Sequence, residues 1–258
     1  MRQFVAERFG RRLSPRSCVR YLHRLGFVCK RPKRRLLKAD AAKRAAFVES
    51  YRAILVEASA RGARIFFVDE AHFRADGDLR RLWTLRGHPA LVDSTSPKYG
   101  EKASFYSAVC LETGEVFASE LSGNSCSATS AQFLADLRQR YLGPLVVIWD
   151  NSSAHAGEAI RTYLKTPGLN LRLARLPAYS PDFNADEAIW KWVREEVTAN
   201  SCFGTAAKVG AAVQAFFAGL TTRTEEVRRR CRTILQTLAS PRDPVTASPT
   251  QLLAHPLM

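Results

Sequence analysis

Two hydrophobic periods divide this chain. Near the N-terminus the period is helical. Gln3 to Phe9 carries Phe4, Val5 and Phe9 and stops at Gly10. Ser14 and Pro15 open a second helix, with Cys18, Leu22 and Leu25 as its apolar stripe and Gly26 as its stop. Asp40 to Arg61 is Ala-rich and amphipathic, ends at Gly62, and reads as a helix joining the N-terminal arm to a strand-bearing core. From Arg64 the pattern changes. Arg64–Val68 and Leu145–Trp149 are short apolar, β-rich runs that suit buried strands, and each ends in acid, Asp69-Glu70 and Asp150. Ala103–Leu111 and Glu115–Leu121 flank Glu112-Thr113-Gly114, the signature of a hairpin turn. Ser125–Tyr141 predicts a helix, Ala154–Lys165 another, and Leu169–Leu176 alternates as a strand after the turn Thr166-Pro167-Gly168. Pro177-Ala178-Tyr179-Ser180-Pro181 excludes helix, whereas Asn184–Val197 sets Ala188, Ile189, Trp192, Val193 and Val197 on one helical face. Helices follow over Thr205–Leu220 and Thr224–Leu238, and the Pro-, Thr- and Ser-rich tail from Ser240 predicts disorder. The polar stretch Arg74–Lys102 predicts a hairpin carrying Trp83.

The acids at the ends of these runs suggest chemistry. A carboxylate at the C-terminal end of a strand lies where open α/β sheets bind their ligands. Asp69 and Asp150 occupy such ends, and Glu187 stands in the first turn of the helix that follows the next strand. If the two strands are neighbours, the three carboxylates converge. Hard oxygen ligands so arranged suit two Mg²⁺ ions about 3.5–4 Å apart, the requirement of two-metal phosphoryl transfer. Each acid has a structural rival. A strand-end Asp often caps a turn, and Asn184 with Glu187 has the spacing of a capping box.

The segments VDEAHF, WDNSSAH and SPDFNADEAIWKW, in this order, resemble DDE transposases of the mariner superfamily, with the bacterial insertion-sequence branch most similar. Trp83–Pro89 is similar to that family's Trp/Gly/Pro segment between the first two acids. The resemblance implies an RNase H-like core, a mixed five-stranded sheet with flanking helices, and the element order of the hydrophobic pattern agrees with it. It implies Asp69, Asp150 and Glu187 as ligands of two Mg²⁺ or Mn²⁺ ions. It also implies terminal inverted repeats as substrate, TA as target, and a homodimer assembled on DNA. Where the family has Pro and an apolar residue, this chain has Ala185 and Asp186, which leaves Asp186 as the alternative third acid. Asn151 is an accessory candidate that orients Asp150 or contacts DNA. His155, with His72, is a candidate for touching DNA or tuning the site, against surface or packing roles for both histidines.

Charge adds a second function. The chain of 258 residues carries a net +15, yet residues 1–46 hold fifteen Lys or Arg against Glu7 and Asp40. The arm therefore supplies nearly all the positive charge, which suits a polyanion such as duplex DNA. Helix, short turn and helix with an arginine face read as helix-turn-helix, with Arg16, Ser17, Arg20 and Arg24 facing DNA. Lys30, Arg31, Lys33, Arg34 and Arg35 form a basic connector of the kind that lies along phosphates. By resemblance this module is the end of the second of two such units, and the chain reads as N-terminally truncated. The six cysteines (18, 29, 110, 126, 202 and 231) show no zinc or CxxC spacing. No apolar run reaches the ~20 residues of a membrane span and no signal peptide is visible, so a cytoplasmic, nucleoid-associated protein is expected.

The expected division is a partial helix-turn-helix with connector over 1–38, a linking helix over 39–62, a catalytic domain over 63–200, and C-terminal helices with a tail over 201–258. The leading function is a transposase. The rivals are an RNase H-like nuclease without strand transfer and an inactive truncated remnant that only binds DNA.

Overall fold

A computed structural model describes residues 1–29, 38–95 and 101–239. The chain forms two compact units, Met1–Leu37 and Lys38–Met258.

In the first unit α1 (Arg2–Phe9) ends on Gly10, whose φ of +61° is left-handed and favours glycine. The second helix, α2 (Pro15–Arg24), starts where Ser14 Oγ accepts the backbone N–H of Ser17 at 3.0 Å. Cys18 is buried, whereas Leu25, expected in the apolar stripe, is exposed at the helix end. The connector residues 30–37 and the tail from Ser240 lie outside the described residues.

The second unit is built on one sheet. Its elements are α3 (Ala41–Arg61), β1 (Arg64–Arg74), β2 (Lys102–Cys110), β3 (Val116–Glu120), α4 (Ser127–Arg140), β4 (Leu145–Trp149), α5 (Glu158–Leu164), β5 (Leu171–Arg175), α6 (Asp186–Val193), α7 (Ala206–Leu220) and α8 (Thr224–Ala239). The strand order is β3-β2-β1-β4-β5. β1 pairs antiparallel with β2 and parallel with β4, and β4 pairs parallel with β5. No described helix is long and apolar enough to cross a membrane.

Strand alternation sorts the core into two layers. Ile65, Phe67, Ala71 and Phe73 of β1, with Ala103, Phe105 and Val109 of β2, face one cluster, which α3, α6, α7 and α8 cover. Phe66, Val68, Tyr106, Ala108 and Trp149 face the other, under Phe133, Leu134 and Leu137 of α4. On the first face Phe47 stacks on Phe183 at 5.8 Å, and Trp190 meets Phe217 edge-on at 5.6 Å. Thus α3 packs on the sheet as a core helix.

Four elements depart from the pattern. β1 does not stop at Asp69. β2 goes on pairing with it as far as Arg74↔Lys102, so Asp69 lies mid-strand. The helix expected from Ala154 starts only at Glu158, after a 3₁₀ turn over Ser153–His155. The Arg175 guanidinium takes the carbonyls of Asp150 and His155, and the latter is thereby withheld from a helical bond. The helix from Asn184 becomes π-helical over Arg194–Thr198. The expected hairpin around Trp83 is absent: the described part of that segment has no strand beyond the isolated bridge Asp76↔Cys202. Asp76 instead pins the returning chain, accepting from Ser94 Oγ at 2.7 Å and Thr95 Oγ1 at 2.9 Å. Trp83, Leu85 and Leu91 stand exposed between these anchors.

Gly77 joins β1 to that segment under tight constraint. A Cβ there would lie 1.9 Å from the Thr198 carbonyl oxygen. Gly77→Ala is therefore expected to destabilise the protein by about 1–3 kcal/mol through overpacking. Gly219, exposed near the end of α7, meets nothing within 4 Å. Gly219→Ala should stabilise by about 0.4–1 kcal/mol, because alanine lowers the entropy of the unfolded chain. Chemical denaturation of both variants reads the opposite signs.

Candidate active site

The parallel pairing of β1 and β4 includes Phe67↔Ile148. Two residues further along each strand stand Asp69 and Asp150, side by side and on the same face by the period of two. β4 ends at Trp149, so Asp150 begins the loop at the strand's C-terminal edge. Glu187 arrives from the first turn of α6. All three acids line one cleft, with Asn151, Ser152, Leu176–Pro181 and Asn184 as the rest of its wall.

Asn184 ties the third acid to the first. Its Nδ2 donates to the Val68 carbonyl at 3.0 Å, next to Asp69, and its Oδ1 accepts the Asp186 N–H at 3.2 Å. The capping box is not formed. Asn184 caps two residues on, Ala185 is the N-cap, and among the described residues no hydrogen bond or ion pair holds the Glu187 carboxylate.

Asp186 goes elsewhere. It is fully buried behind the cleft, where Ser107 Oγ donates to its Oδ2 at 2.5 Å and Oδ1 has no partner. Burial pushes its carboxyl well above the usual range. Asp69, against Asp186, Glu187 and Glu70, is pushed up to about 9, first by burial and then by these neighbouring charges. Glu187 is also raised by desolvation, with Arg194 pulling the other way. Such a group of acids stores like-charge repulsion that a cation relieves.

On the opposite face of the sheet lie Glu70 and His155. His155 is completely buried and stacks on Trp149 at 3.9 Å. Its Nε2 lies 3.0 Å from Glu70 Oε2 and 3.3 Å from Asp150 Oδ1. The same Asp150 Oδ1 accepts the Ser152 N–H at 2.9 Å. Asn151 turns away to donate to the Leu176 carbonyl at 2.6 Å, a bond that ties the β4 loop to the end of β5. His72 makes a 2.8 Å hydrogen bond with Ser104, on β1 and β2, and does not line the cleft. Among the described residues no three His, Cys, Asp or Glu side chains lie close enough to hold an ion as they stand. The donor set is nonetheless all carboxylate, the chemistry preferred by Mg²⁺ and Mn²⁺.

Two family models match the sequence. One, the DDE superfamily endonucleases, covers residues 64–209, more than half of the chain. This chain belongs to that superfamily. The other, a winged helix-turn helix, covers residues 1–51. No curated protein matches the chain. Among solved structures, this endonuclease resembles the Mos1 mariner paired-end complex with Mn, at 18% identity over 92% of this chain and 72% of the other, with a TM-score of 0.68. It also resembles the Mos1 paired-end complex with left transposon end, at 17% identity over 92% and 74%, TM-score 0.66. A third is the Mos1 strand transfer complex, at 18% identity over 91% and 70%, TM-score 0.66. The fold is thus the RNase H-like DDE core, with an N-terminal helix-turn-helix and C-terminal helices.

Sequence reasoning named the three acids of the cleft, but missed Glu70, Ser107 and Asn184 as partners. Strand alternation carried the signal for Glu70: next to Asp69, it had to face the other way.

In the N-terminal unit Arg16, Arg20 and Arg24 repeat every four residues and are exposed, opposite Cys18. The Ser17 hydroxyl is engaged with Ser14 Oγ at 2.9 Å in the helix cap. Lys30, Arg31, Lys33, Arg34 and Arg35 fall outside the described residues.

Asp69 makes stability depend on pH. Its folded pKa lies above the unfolded value, so with chelator present the folded state holds a proton that the unfolded state releases from about pH 4 upward. Stability then falls as pH rises from about 4 to about 9. Asp69→Asn is expected to be more stable than the parent, by a margin that is small near pH 4 and widens towards pH 9. Denaturation midpoints across that range check it. A margin independent of pH would contradict the assignment.

Proposed function

We propose that this chain is the transposase of a bacterial insertion sequence, cutting DNA at the element's ends and joining the freed 3′ hydroxyl to a target strand. The observation that carries this reading is the single cleft lined by Asp69, Asp150 and Glu187 on a DDE endonuclease core. The similar structures are Mos1 complexes with a transposon end, with Mn and with Mg, and a strand transfer complex. By the same reading this chain uses Mg²⁺ or Mn²⁺, two ions, held by those three carboxylates. Bound there, the ions would supply Lewis-acid activation of the attacking oxygen and stabilisation of the leaving one.

The chain's own residues do the rest. Asp69 and Asp150 are set side by side by the sheet, and Asn184 holds α6 so that Glu187 faces them. Asp186, fully buried, walls the site from behind. Water attacks phosphorus first and the 3′ hydroxyl second, each displacing the opposite oxygen in line. The substrate class is duplex DNA with terminal inverted repeats, the target is TA, and the working assembly is a homodimer on DNA. The reading places the protein on the nucleoid in the cytoplasm. Arg16, Arg20 and Arg24, with the connector's Lys30, Arg31, Lys33, Arg34 and Arg35, supply phosphate contacts.

The test uses duplexes that carry the inverted repeats flanking the gene. With Mg²⁺ or Mn²⁺ the full chain should nick them at the element boundary and join the cut strand to TA-containing DNA. Asp150→Asn and Glu187→Gln should each abolish both steps and most of the thermal stabilisation by Mg²⁺, since an ion that binds only the folded state stabilises it. Nicking without joining would leave a nuclease of the same fold, and metal-dependent nicking retained in both variants would sink the three-carboxylate site.

The arm makes a separate expectation. Each phosphate neutralised on duplex DNA contributes about −0.9 to the slope of log affinity against log salt. Deleting residues 1–37 should flatten that slope markedly. An unchanged slope would move the phosphate-binding surface to the core.

A further inference from the structure

We propose that His155 is a positioning residue for Asp150: its ring, held by an Nε2–H bond to Glu70 and oriented by a chain of hydroxyls, sets Nε2 against Asp150 Oδ1 so that Oδ2 remains for the cleft. This rests on the reading of Asp150 as a cation ligand and goes beyond it by naming what aims that ligand.

The two acids set the direction of every bond in that chain. Carboxylates accept hydrogen bonds, and His155 Nε2 is bonded to Glu70 Oε2 at 3.0 Å, with Asp150 Oδ1 beside it at 3.3 Å. The proton of a neutral ring therefore sits on Nε2. Nδ1 must then accept, and Ser130 Oγ, 3.1 Å away, is its donor. Having given its proton, Ser130 can accept from Tyr106 Oη at 2.9 Å, and Tyr106 can accept from Ser125 Oγ at 2.6 Å. Each hydroxyl donates once, and every bond runs the same way, towards the two acids. Reversing any one of them would leave two donors or two acceptors face to face.

The ring has little freedom to turn. Trp149 stacks on it at 3.9 Å and Tyr106 meets it edge-on at 6.1 Å. Arg175 ties the carbonyls of Asp150 and His155 together, which fixes the spacing of the two residues. A histidine kept only for packing would need neither a donor on Nδ1 nor acids on Nε2. Asp150 Oδ1 accepts the Ser152 N–H and lies 3.3 Å from His155 Nε2, while Oδ2 has no protein partner among the described residues. Glu70 matters because it is the nearer acceptor and anchors the ring. It comes from the residue after Asp69, so one strand supplies an acid to the cleft and the next acid to the clamp behind it. Hydrogen bonds that orient metal-binding carboxylates contribute as much as 10–100-fold to affinity or activity.

The test reads Mn²⁺ binding to the full chain by the paramagnetic resonance of free Mn²⁺, with metal-free melting temperature as the fold check. His155→Gln keeps an N–H at about the position of Nε2 and should bind Mn²⁺ within about threefold of the parent, whereas His155→Leu should bind about 10–100-fold more weakly. Ser130→Ala, which removes the donor that sets the ring's tautomer, should fall between them. Asp150→Asn should lose the site. If Asp150→Asn binds Mn²⁺ like the parent, the ligand reading fails and takes this proposal with it. If Asp150→Asn loses binding but His155→Leu matches the parent, positioning alone fails. Should His155→Leu not fold, Ser130→Ala decides: parent-like binding overturns the proposal and weakened binding supports it. A folded His155→Gln as weak as His155→Leu would also overturn it, since shape rather than the donor would then matter.

Discussion

The parallel register of β1 against β4 is the constraint on which the rest of this structure depends. Phe67↔Ile148 brings two acids level two residues later, on the same side of the sheet. A slip of one residue would send Asp69 to the opposite face from Asp150, and the whole hydrophobic set of the strand with it. The core therefore protects the register. Phe67 packs under Tyr51 of α3 on one side, and Phe66 under Tyr141 on the other, at ring distances of 5.8 and 4.7 Å. Apolar burial on two faces thus fixes the position of a polar pair, Asp69 within β1 and Asp150 just past the end of β4.

The same alternation gives adjacent acids different environments. Asp69 looks towards α6 and meets Asp186 and Glu187. Glu70 looks towards α4 and meets His155. The first group is crowded with like charge, which burial aggravates. The second is a set of hydrogen bonds with donors and acceptors matched. Repulsion is thus concentrated on one face, while Glu70, His155, Ser130 and Tyr106 are joined by hydrogen bonds on the other. Functional groups of this kind are commonly held at some expense of stability.

Much of this architecture was legible in the sequence, and the failures have physical causes. Leu145–Trp149 was read with its observed bounds, because a five-residue, β-rich apolar run between Pro144 and Asp150 suits a buried strand. The order of strands and helices came from period. Strand length did not: nothing in Glu70–Arg74 says that β2 will keep pairing with it, since pairing is set by partners in Lys102–Tyr106, 28 to 36 residues away. The late start of α5 was hidden for the same reason, because the Arg175 guanidinium that claims the carbonyls of Asp150 and His155 lies on another strand. Asn184 shows the limit most clearly. Its spacing from Glu187 suggested a local capping box, whereas its amide bridges to Val68, 116 residues earlier. Local pattern can propose a hydrogen bond, but it cannot reveal a competitor from elsewhere in the fold.

The pair Asp186 and Glu187 illustrates what geometry adds to such a pattern. Read as sequence, the two acids are interchangeable candidates. On a helix, successive residues point about 100° apart, so neighbours cannot enter one cleft together. Asn184 fixes the rotation of the first turn by holding both the Asp186 N–H and the Val68 carbonyl. With that rotation set, Asp186 points into the core and reaches Ser107 on β2, and Glu187 lines the cleft. The Asp186 carboxyl is raised well above its usual range by burial, while the Ser107 hydroxyl that donates to it pulls the other way. It also adds to the repulsion that raises Asp69. The extra acid is therefore tied electrostatically to the cleft without lining it, which is why sequence spacing alone could not separate the two.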